Sequence, residues 1–380
     1  MTSIYLDHAA GTPCDPRVLE VMRPYFFEKS GNASSPHKQG CRAHKAVEEA
    51  RETLATFIGA LSSEIVFTSG ASESNNQAVF SVARALKARG RHIVASAIEH
   101  HSVLEPLHQL EQDGYQVTYV KPRADGIVAD EDMLCAVRPE TILFCLAHAN
   151  NEIGTLQPLS RMGRFCRDRG IYFLVDATQT VGHIPVNVKD IHCDLLSLSA
   201  HKFYGPQGAG ALYIRQGVDC PAFILGGDQE RGRRAGTHNT PGIVGLSEAI
   251  RLCRAEMAQE AVRESGLRDT IIDSVLKEVP SAVLNGHSQE RLPNNSHFSF
   301  VDIKGEELCQ VLDLAGVAVS MGSACTRGRS EPSHVLKSIG LTDQMALGAL
   351  RVSVGRWTTK AETGYFLQQL KLKVDQLKNG

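Results

Sequence analysis

Lys202 closes the tetrapeptide Ser199-Ala-His-Lys202, set between the apolar run Leu195-Leu-Ser-Leu and the glycine-rich stretch Gly205-Pro-Gln-Gly-Ala-Gly210. The spacing puts its amine where a strand ends. A lysine held against the end of a sheet loses part of its hydration, which lowers its pKa and makes the amine a nucleophile able to condense with an aldehyde. Earlier in the chain the run Tyr172-Phe-Leu-Val ends in Asp176, followed by Ala-Thr-Gln179. Paired with such a lysine, a semi-buried carboxylate suggests pyridoxal phosphate, whose ring nitrogen must stay protonated for the ring to act as an electron sink. Taken singly, a lysine after a strand is ordinarily a solvated turn residue and an Asp there a helix N-cap. Ser-x-x-Lys is also the nucleophile signature of penicillin-recognising hydrolases. Phe203-Tyr-Gly-Pro206 would end the helix that such a serine must open, and no Lys-Thr-Gly follows.

Other strand ends carry matching chemistry. In Ser69-Gly-Ala-Ser-Glu-Ser-Asn-Asn76, Gly70 allows a tight turn into a helix. The free N–H groups of Ala71 and Ser72, with the Ser72 hydroxyl, make a phosphate-sized anion site. The next strand leads to Ile98-Glu-His100-His101, where an imidazole can stack on a pyridine ring. A later one leads to His148-Ala-Asn150-Asn151, whose amides suit a substrate carboxylate or a ring hydroxyl.

The elements that must position these residues are short β-branched runs: Ile65-Val-Phe-Thr, His92-Ile-Val-Ala-Ser, Gln116-Val-Thr-Tyr-Val, Thr141-Ile-Leu-Phe-Cys-Leu, Tyr172-Phe-Leu-Val, Leu195-Leu-Ser-Leu and Gly210-Ala-Leu-Tyr-Ile-Arg. Helical periodicity separates most of them, as over Ser102–Asp113 and Ser160–Arg169. The pattern predicts an α/β domain on a mainly parallel, seven-stranded sheet, which binds ligands at the carboxyl ends of its strands. From about residue 257 a charged helix, Met257–Val279, leads into a smaller α+β domain. The expected division is 13–256 for the large domain and 1–12 plus 257–380 for the small one.

At 380 residues the chain is long enough for about two well-buried cores. A net charge of −2 argues against nucleic acid or a membrane surface as the main partner, and no apolar run approaches the roughly 18 residues that span a bilayer. Met1-Thr-Ser-Ile-Tyr-Leu-Asp-His has no basic region followed by an apolar one, so a cytoplasmic location is expected. The ten cysteines are scattered without a C-x-x-C pair and most lie in apolar or helical contexts, which reads, Cys325 apart, as reduced thiols packed as small hydrophobes more than as a disulfide framework or zinc site.

Nine segments, in order, resemble the cysteine desulfurases of the fold-type I (class V aminotransferase) group of pyridoxal-phosphate enzymes. They are Tyr5-Leu-Asp-His-Ala-Ala, Ser69-Gly-Ala-Ser-Glu-Ser, Glu99-His100, Asn150-Asn-Glu-Ile-Gly, Val175-Asp-Ala-Thr-Gln179, Ser199-Ala-His-Lys202-x-Tyr-Gly-Pro, Glu230-Arg-Gly-Arg-Arg-Ala-Gly-Thr237, Gly322-Ser-Ala-Cys325 and Leu350-Arg351-x-Ser. The resemblance implies a homodimer with active sites near its interface. It makes Lys202 the lysine that binds pyridoxal phosphate, Asp176 the partner of the ring nitrogen, Gln179 the partner of the ring oxygen and His100 the stacking and catalytic histidine. Ser72, Ser199 and His201 would hold the phosphate, with Thr237 reaching it from the neighbouring subunit. Asn151 and Arg351 would hold the carboxylate of L-cysteine, for which an arginine fork is well shaped.

Cys325 lies in Ser320-Met-Gly-Ser-Ala-Cys-Thr-Arg-Gly-Arg-Ser-Glu-Pro332, too rich in Gly, Ser and Arg for a core segment. The thiol is expected to be exposed on a mobile loop, with Arg327 and Arg329 favouring thiolate. The resemblance implies that Lys202 removes the Cα proton, the Cys325 thiolate attacks the substrate sulfur, L-alanine leaves and a persulfide remains for an acceptor protein. Iron–sulfur cluster assembly scaffold, tRNA-thiolation protein and DNA sulfur-modification protein stay open as acceptors. The end at Gly380 sets aside an extended tail that would dock a scaffold. Gly11 and Ser72 stand where the family commonly has Thr. Rival readings are a selenocysteine lyase or aminotransferase on the same fold, a Cys/His hydrolase, and a non-enzymatic sulfur-binding protein. The hydrolase needs a histidine fixed beside Cys325; His334 is expected to cap a helix or face solvent instead.

Overall fold

Short runs of branched and aromatic residues form the strands of a computed structural model that describes residues 3–322 and 332–379. In chain order these are β1 (Ile4–Tyr5), β2 (Ile65–Thr68), β3 (His92–Ser96), β4 (Gln116–Val120), β5 (Thr141–Ala147), β6 (Tyr172–Asp176), β7 (Leu195–Ser199), β8 (Gly210–Ile214), β9 (Ala282–Leu284), β10 (Asn295–Phe300), β11 (Val317–Ala318) and β12 (Ala349–Ser353). Seven of them build the central sheet in the order β2-β8-β7-β6-β5-β3-β4, in which β8 alone runs against its neighbours. Five of the parallel strands, β2, β3, β5, β6 and β7, therefore deliver their carboxyl ends to one edge, where the crossover helices leave room for a ligand. Ala147 of β5 pairs with Asp176 of β6, and Asp176 with Ser197 of β7, so the strand-end residues come level.

Both faces of this sheet are covered. One packs Phe67, Phe144, Phe173, Leu196 and Leu198 against the helix Lys38–Ile58, and the other packs Val66, Ile93, Leu143 and Leu212 against Ala71–Ala85 and His101–Gln112. A separate cluster gathers Phe298, Phe300, Leu350 and Val352 from the antiparallel sheet β12-β10-β9 with Phe366, Leu370 and Val374 of the last helix. Val335, Leu336 and Ile339 pack with the first cluster, although they lie late in the chain.

The helix expected from Met257 begins at Thr240 and runs unbroken to Glu278. Its start, Thr240-Pro-Gly-Ile-Val-Gly245, reads as a breaker, yet Pro241 occupies the first turn, where its missing N–H costs nothing. Gly245 is a contact residue: a Cβ there would come within 2.5 Å of Met22 Sδ. Ile243, Leu246 and Ile250 belong to the first core, and Leu267, Ile271 and Val275 to the small one. One rigid rod thus joins the two cores. No helix among the described residues is long and apolar enough to cross a membrane.

Candidate active site

A cavity of about 510 Å³ opens at the carboxyl edge of the sheet. Ser72, His100, Asn151, Asp176, Gln179, Ser199, His201, Lys202 and Arg351 all line it, so the sequence assignments converge.

At one end the helix Ala71–Ala85 starts from Gly70, whose φ of +156° suits glycine. Gly210 approaches so closely that a Cβ on it would lie 2.5 Å from Gly70 Cα. Gly210 thus has no room for a side chain, and the first N–H groups of a 15-residue helix face the cavity end. Ser199 Oγ and His201 Nδ1 are 2.8 Å apart beside it. Burial and the neighbouring Lys202 push the His201 pKa down to about 4, so the ring is neutral at pH 7 and offers hydrogen bonds instead of charge.

Asp176 accepts from the Thr178 N–H (2.9 Å) and from Asn75 Nδ2 (2.8 Å). The same Asn75 amide donates to Ser102 Oγ, which lies 2.8 Å from His100 Nδ1. His100 Nδ1 also accepts the Ser102 N–H (3.0 Å), which leaves the proton of the neutral ring on Nε2. Burial lowers the His100 pKa against the opposing pull of Asp176. Asn75, Ser102 and Thr178 were missed in the sequence. Asn75 was visible inside the Ser72-Glu-Ser-Asn-Asn run, one helical turn along the face that points inward.

Lys202 sits in the three-residue turn after β7, and its Nζ donates to the carbonyls of Ala9 (2.7 Å) and Ala10 (2.8 Å). Gln179 Nε2 donates to the same Ala9 carbonyl at 3.1 Å. Arg351 of β12 is 2% exposed, and its guanidinium is already engaged. Nη1 donates to Asn151 O (2.8 Å), Nη2 to Asp7 Oδ1 (2.7 Å), and buried Nε has no partner among the described residues. Asn150, by contrast, is structural: its side chain bonds Ile98 O and the N–H groups of Glu152 and Ile153.

His334 departs from expectation. It lines the cavity, donates from Nε2 to Glu99 O (3.0 Å) and packs 5.0 Å from the His101 ring. The reason is Ser333, which caps the helix His334–Ser338 and donates to buried Glu152 at 2.5 Å, turning the helix start inward. Gly322 also lines the cavity. Cys325 itself lies outside the described residues, as do Arg327 and Arg329.

Thr237 is exposed and does not line the cavity of its own chain. The loop that carries it is fixed by Glu230, which takes Arg51 in two bonds (2.6 and 2.8 Å), His238 (2.7 Å) and the Phe67 N–H (2.8 Å). Burial alone would raise this carboxyl, but Arg51 and His238 hold it at about 2. Arg51→Ala would leave the buried Glu230 carboxylate without its arginine, a loss that reaches about 3–5 kcal/mol where one partner of a buried pair is removed and that the bonds from His238 and the Phe67 N–H reduce. A denaturant midpoint unchanged in that variant would show that the pair carries no such weight.

The residues present fit pyridoxal phosphate. A helix N-terminus with Ser199 and neutral His201 would suit a phosphate, Asp176 a pyridinium N–H and Lys202 an aldehyde. Thr178, in the cavity wall, keeps a buried hydroxyl with no partner among the described residues. Residues 4–366 match the model of the aminotransferase class-V family. The chain belongs to that family. Class-V aminotransferases and the desulfurases among them are pyridoxal-phosphate enzymes. Among curated class-V relatives, a protein named cysteine desulfurase IscS from Dictyoglomus turgidum is 48% identical over 375 residues, covering 99% of this chain and 95% of its own. A solved NifS-like protein superposes with a TM-score of 0.93 at 36% identity, over 99% of this chain and all of the other. The structure titled SspA in complex with cysteine gives 0.83 at 35% identity, over 94% of this chain and all of the other.

Proposed function

We infer that this chain is a cysteine desulfurase dependent on pyridoxal phosphate, taking sulfur from L-cysteine and releasing L-alanine. The observation that carries the reading is the convergence of Lys202, Asp176, His100 and Arg351 on one cavity in a chain 48% identical to a curated desulfurase. When bound at Lys202, pyridoxal phosphate supplies an electron sink for the charge left at Cα. Asp176, held by Asn75 and the Thr178 N–H, keeps the ring nitrogen protonated. Arg351 and Asn151 orient the substrate carboxylate, His100 covers the ring, and Lys202 takes the Cα proton. The Cys325 thiolate then attacks the substrate sulfur: an S–S bond forms, the C–S bond breaks with its electron pair left on Cβ, Cβ takes up a proton, Lys202 returns one to Cα, and the fragment leaves as alanine.

Sulfur on Cys325 passes to an acceptor protein, and the candidates remain an iron–sulfur scaffold, a tRNA-thiolation protein and a DNA sulfur-modification protein. The enzyme works in the cytoplasm. It acts as a homodimer in which exposed Thr237 completes the phosphate site of the other subunit. Light scattering should give twice the chain mass; a monomer with full cofactor occupancy and activity would remove Thr237 from the site. The test of the function itself is incubation with L-cysteine and mass spectrometry of the peptide containing Cys325. A gain of one sulfur atom, with alanine formed in step, is expected. A 2-oxo acid that keeps the substrate sulfur, with none added to Cys325, would point to the aminotransferase reading, and turnover confined to selenocysteine to the lyase.

A further inference from the structure

Behind the lysine turn lies a buried polar group that the reaction does not use. His183, 6% exposed, has Nε2 at 2.8 Å from the carbonyl oxygen of Lys202. A carbonyl only accepts, so Nε2 carries the proton of this ring. On its other side, Nδ1 lies 4.0 Å from Oε2 of Glu264, on the rod that joins the two cores. Burial lowers the His183 pKa, helped by the charges of Arg356 and Lys202, and burial with Glu260 raises that of Glu264 to about 8. At neutral pH both are uncharged, and the imidazole stays a single-tautomer donor to the lysine backbone.

The turn cannot hold itself. Its own bonds, from the Phe203 and Gly205 N–H groups, both end on Ala200 O, so the carbonyls beyond it depend on other segments. The Thr12 N–H and hydroxyl donate to His201 O (2.8 and 2.9 Å), and the Asp15 N–H to Tyr204 O (2.9 Å). Tyr204 sits at φ +67°, a left-handed conformation that a tyrosine keeps only when its surroundings impose it. Thr12 Oγ1 accepts its N–H at 2.7 Å, and its hydroxyl accepts the Arg356 N–H at 2.7 Å and faces Glu264 Oε1 at 3.5 Å. Within this scaffold, the His183 side chain holds the carbonyl of Lys202 itself.

We propose that His183 is a positioning residue for Lys202, fixing the lysine carbonyl from behind so that the flexible side chain reaches the cavity from one direction. The proposal rests on Lys202 being the lysine that binds pyridoxal phosphate. Without the imidazole N–H a buried carbonyl loses its donor and the turn relaxes. A displacement of a fraction of an ångström at Cα is then amplified along four side-chain bonds.

The test compares His183→Leu, which removes the donor, with His183→Gln, which keeps an N–H at similar reach. Three quantities are read on the purified proteins: the pH midpoint of the bound cofactor's visible absorbance, the Kd of the apoprotein for pyridoxal phosphate, and kcat and KM for L-cysteine. His183→Leu is expected to lose about tenfold or more in kcat with KM changed less than about twofold, as for a misplaced reacting group. It should also shift the absorbance midpoint, and His183→Gln should restore both. Wild-type kcat and midpoint in His183→Leu, or equal losses in both variants, would overturn the proposal and leave His183 as packing. Should His183→Leu not fold, His183→Gln decides: a wild-type midpoint and Kd support the role, and a full loss in a folded protein overturns it. Borohydride reduction and peptide mapping separate this from the parent reading. Label on a lysine other than Lys202 would overturn both, whereas label on Lys202 with unchanged spectra and rates would overturn the positioning role alone.

Discussion

Cys325→Ser is expected to abolish alanine release while leaving a folded, yellow protein that still changes colour on adding L-cysteine. The substitution removes the sulfur-accepting atom and little else. The described contacts of Lys202, Asp176, Gln179 and His201 run to Ala9, Ala10, Asn75, the Thr178 N–H and Ser199. A serine hydroxyl, with a pKa far above that of a thiol, is a poor nucleophile toward sulfur and cannot form a persulfide. The rate should fall by roughly a thousandfold or more, the scale seen when a covalent nucleophile is removed. Alanine measured under reducing conditions, with the absorbance change recorded beside it, checks both halves. Desulfuration at the wild-type rate would take the thiol out of the reaction and move the aminotransferase and selenocysteine-lyase readings forward.

The strands were legible because each is a run of β-branched residues in a sheet covered on both faces, where continuous apolar character replaces alternation. The end of a parallel strand is likewise where polar residues with chemistry must stand, so Asp176 and Lys202 announced themselves by position. Residues whose role is to hold those groups were harder to see. Asn75 looks like one polar residue among several at a helix start, and only the register of the sheet brings it to Asp176. The start of the long helix was hidden because Pro241 and Gly245 read as breakers until their tertiary neighbours are known. His334 was expected outward because a sequence says nothing of Glu152, which turns Ser333 and the helix behind it inward. Arg351 illustrates a further limit. Its type promised a carboxylate fork, but the pairing of β12 with β10 and the isolated bridge between Asp7 and Ser353 bring Asp7 onto it, a partner far away in the chain. A substrate carboxylate bound there, as proposed, would meet a guanidinium that already carries one carboxylate.

Lys202→Ala should remove turnover altogether, because in the proposed reaction the same amine would anchor the cofactor and take the Cα proton, and no other described residue lining the cavity offers a primary amine. Arg351 cannot substitute, since a guanidinium stays protonated, and His100 has its Nδ1 engaged by Ser102. The cost to stability is modest by comparison. Lys202 is half-buried, and losing its bonds to Ala9 O and Ala10 O amounts to about 1–3 kcal/mol, offset where water reaches the two carbonyls. The variant should therefore unfold at slightly lower denaturant and still bind pyridoxal phosphate through the helix N-terminus, Ser199 and His201, but lose it on dialysis. Borohydride should fix no label to it, while the wild type should carry label on the peptide containing Lys202. Covalent label at a different lysine in the wild type, or residual alanine formation in the variant above the background of free pyridoxal phosphate, would mean that the lysine at the end of β7 is not the one that does the chemistry.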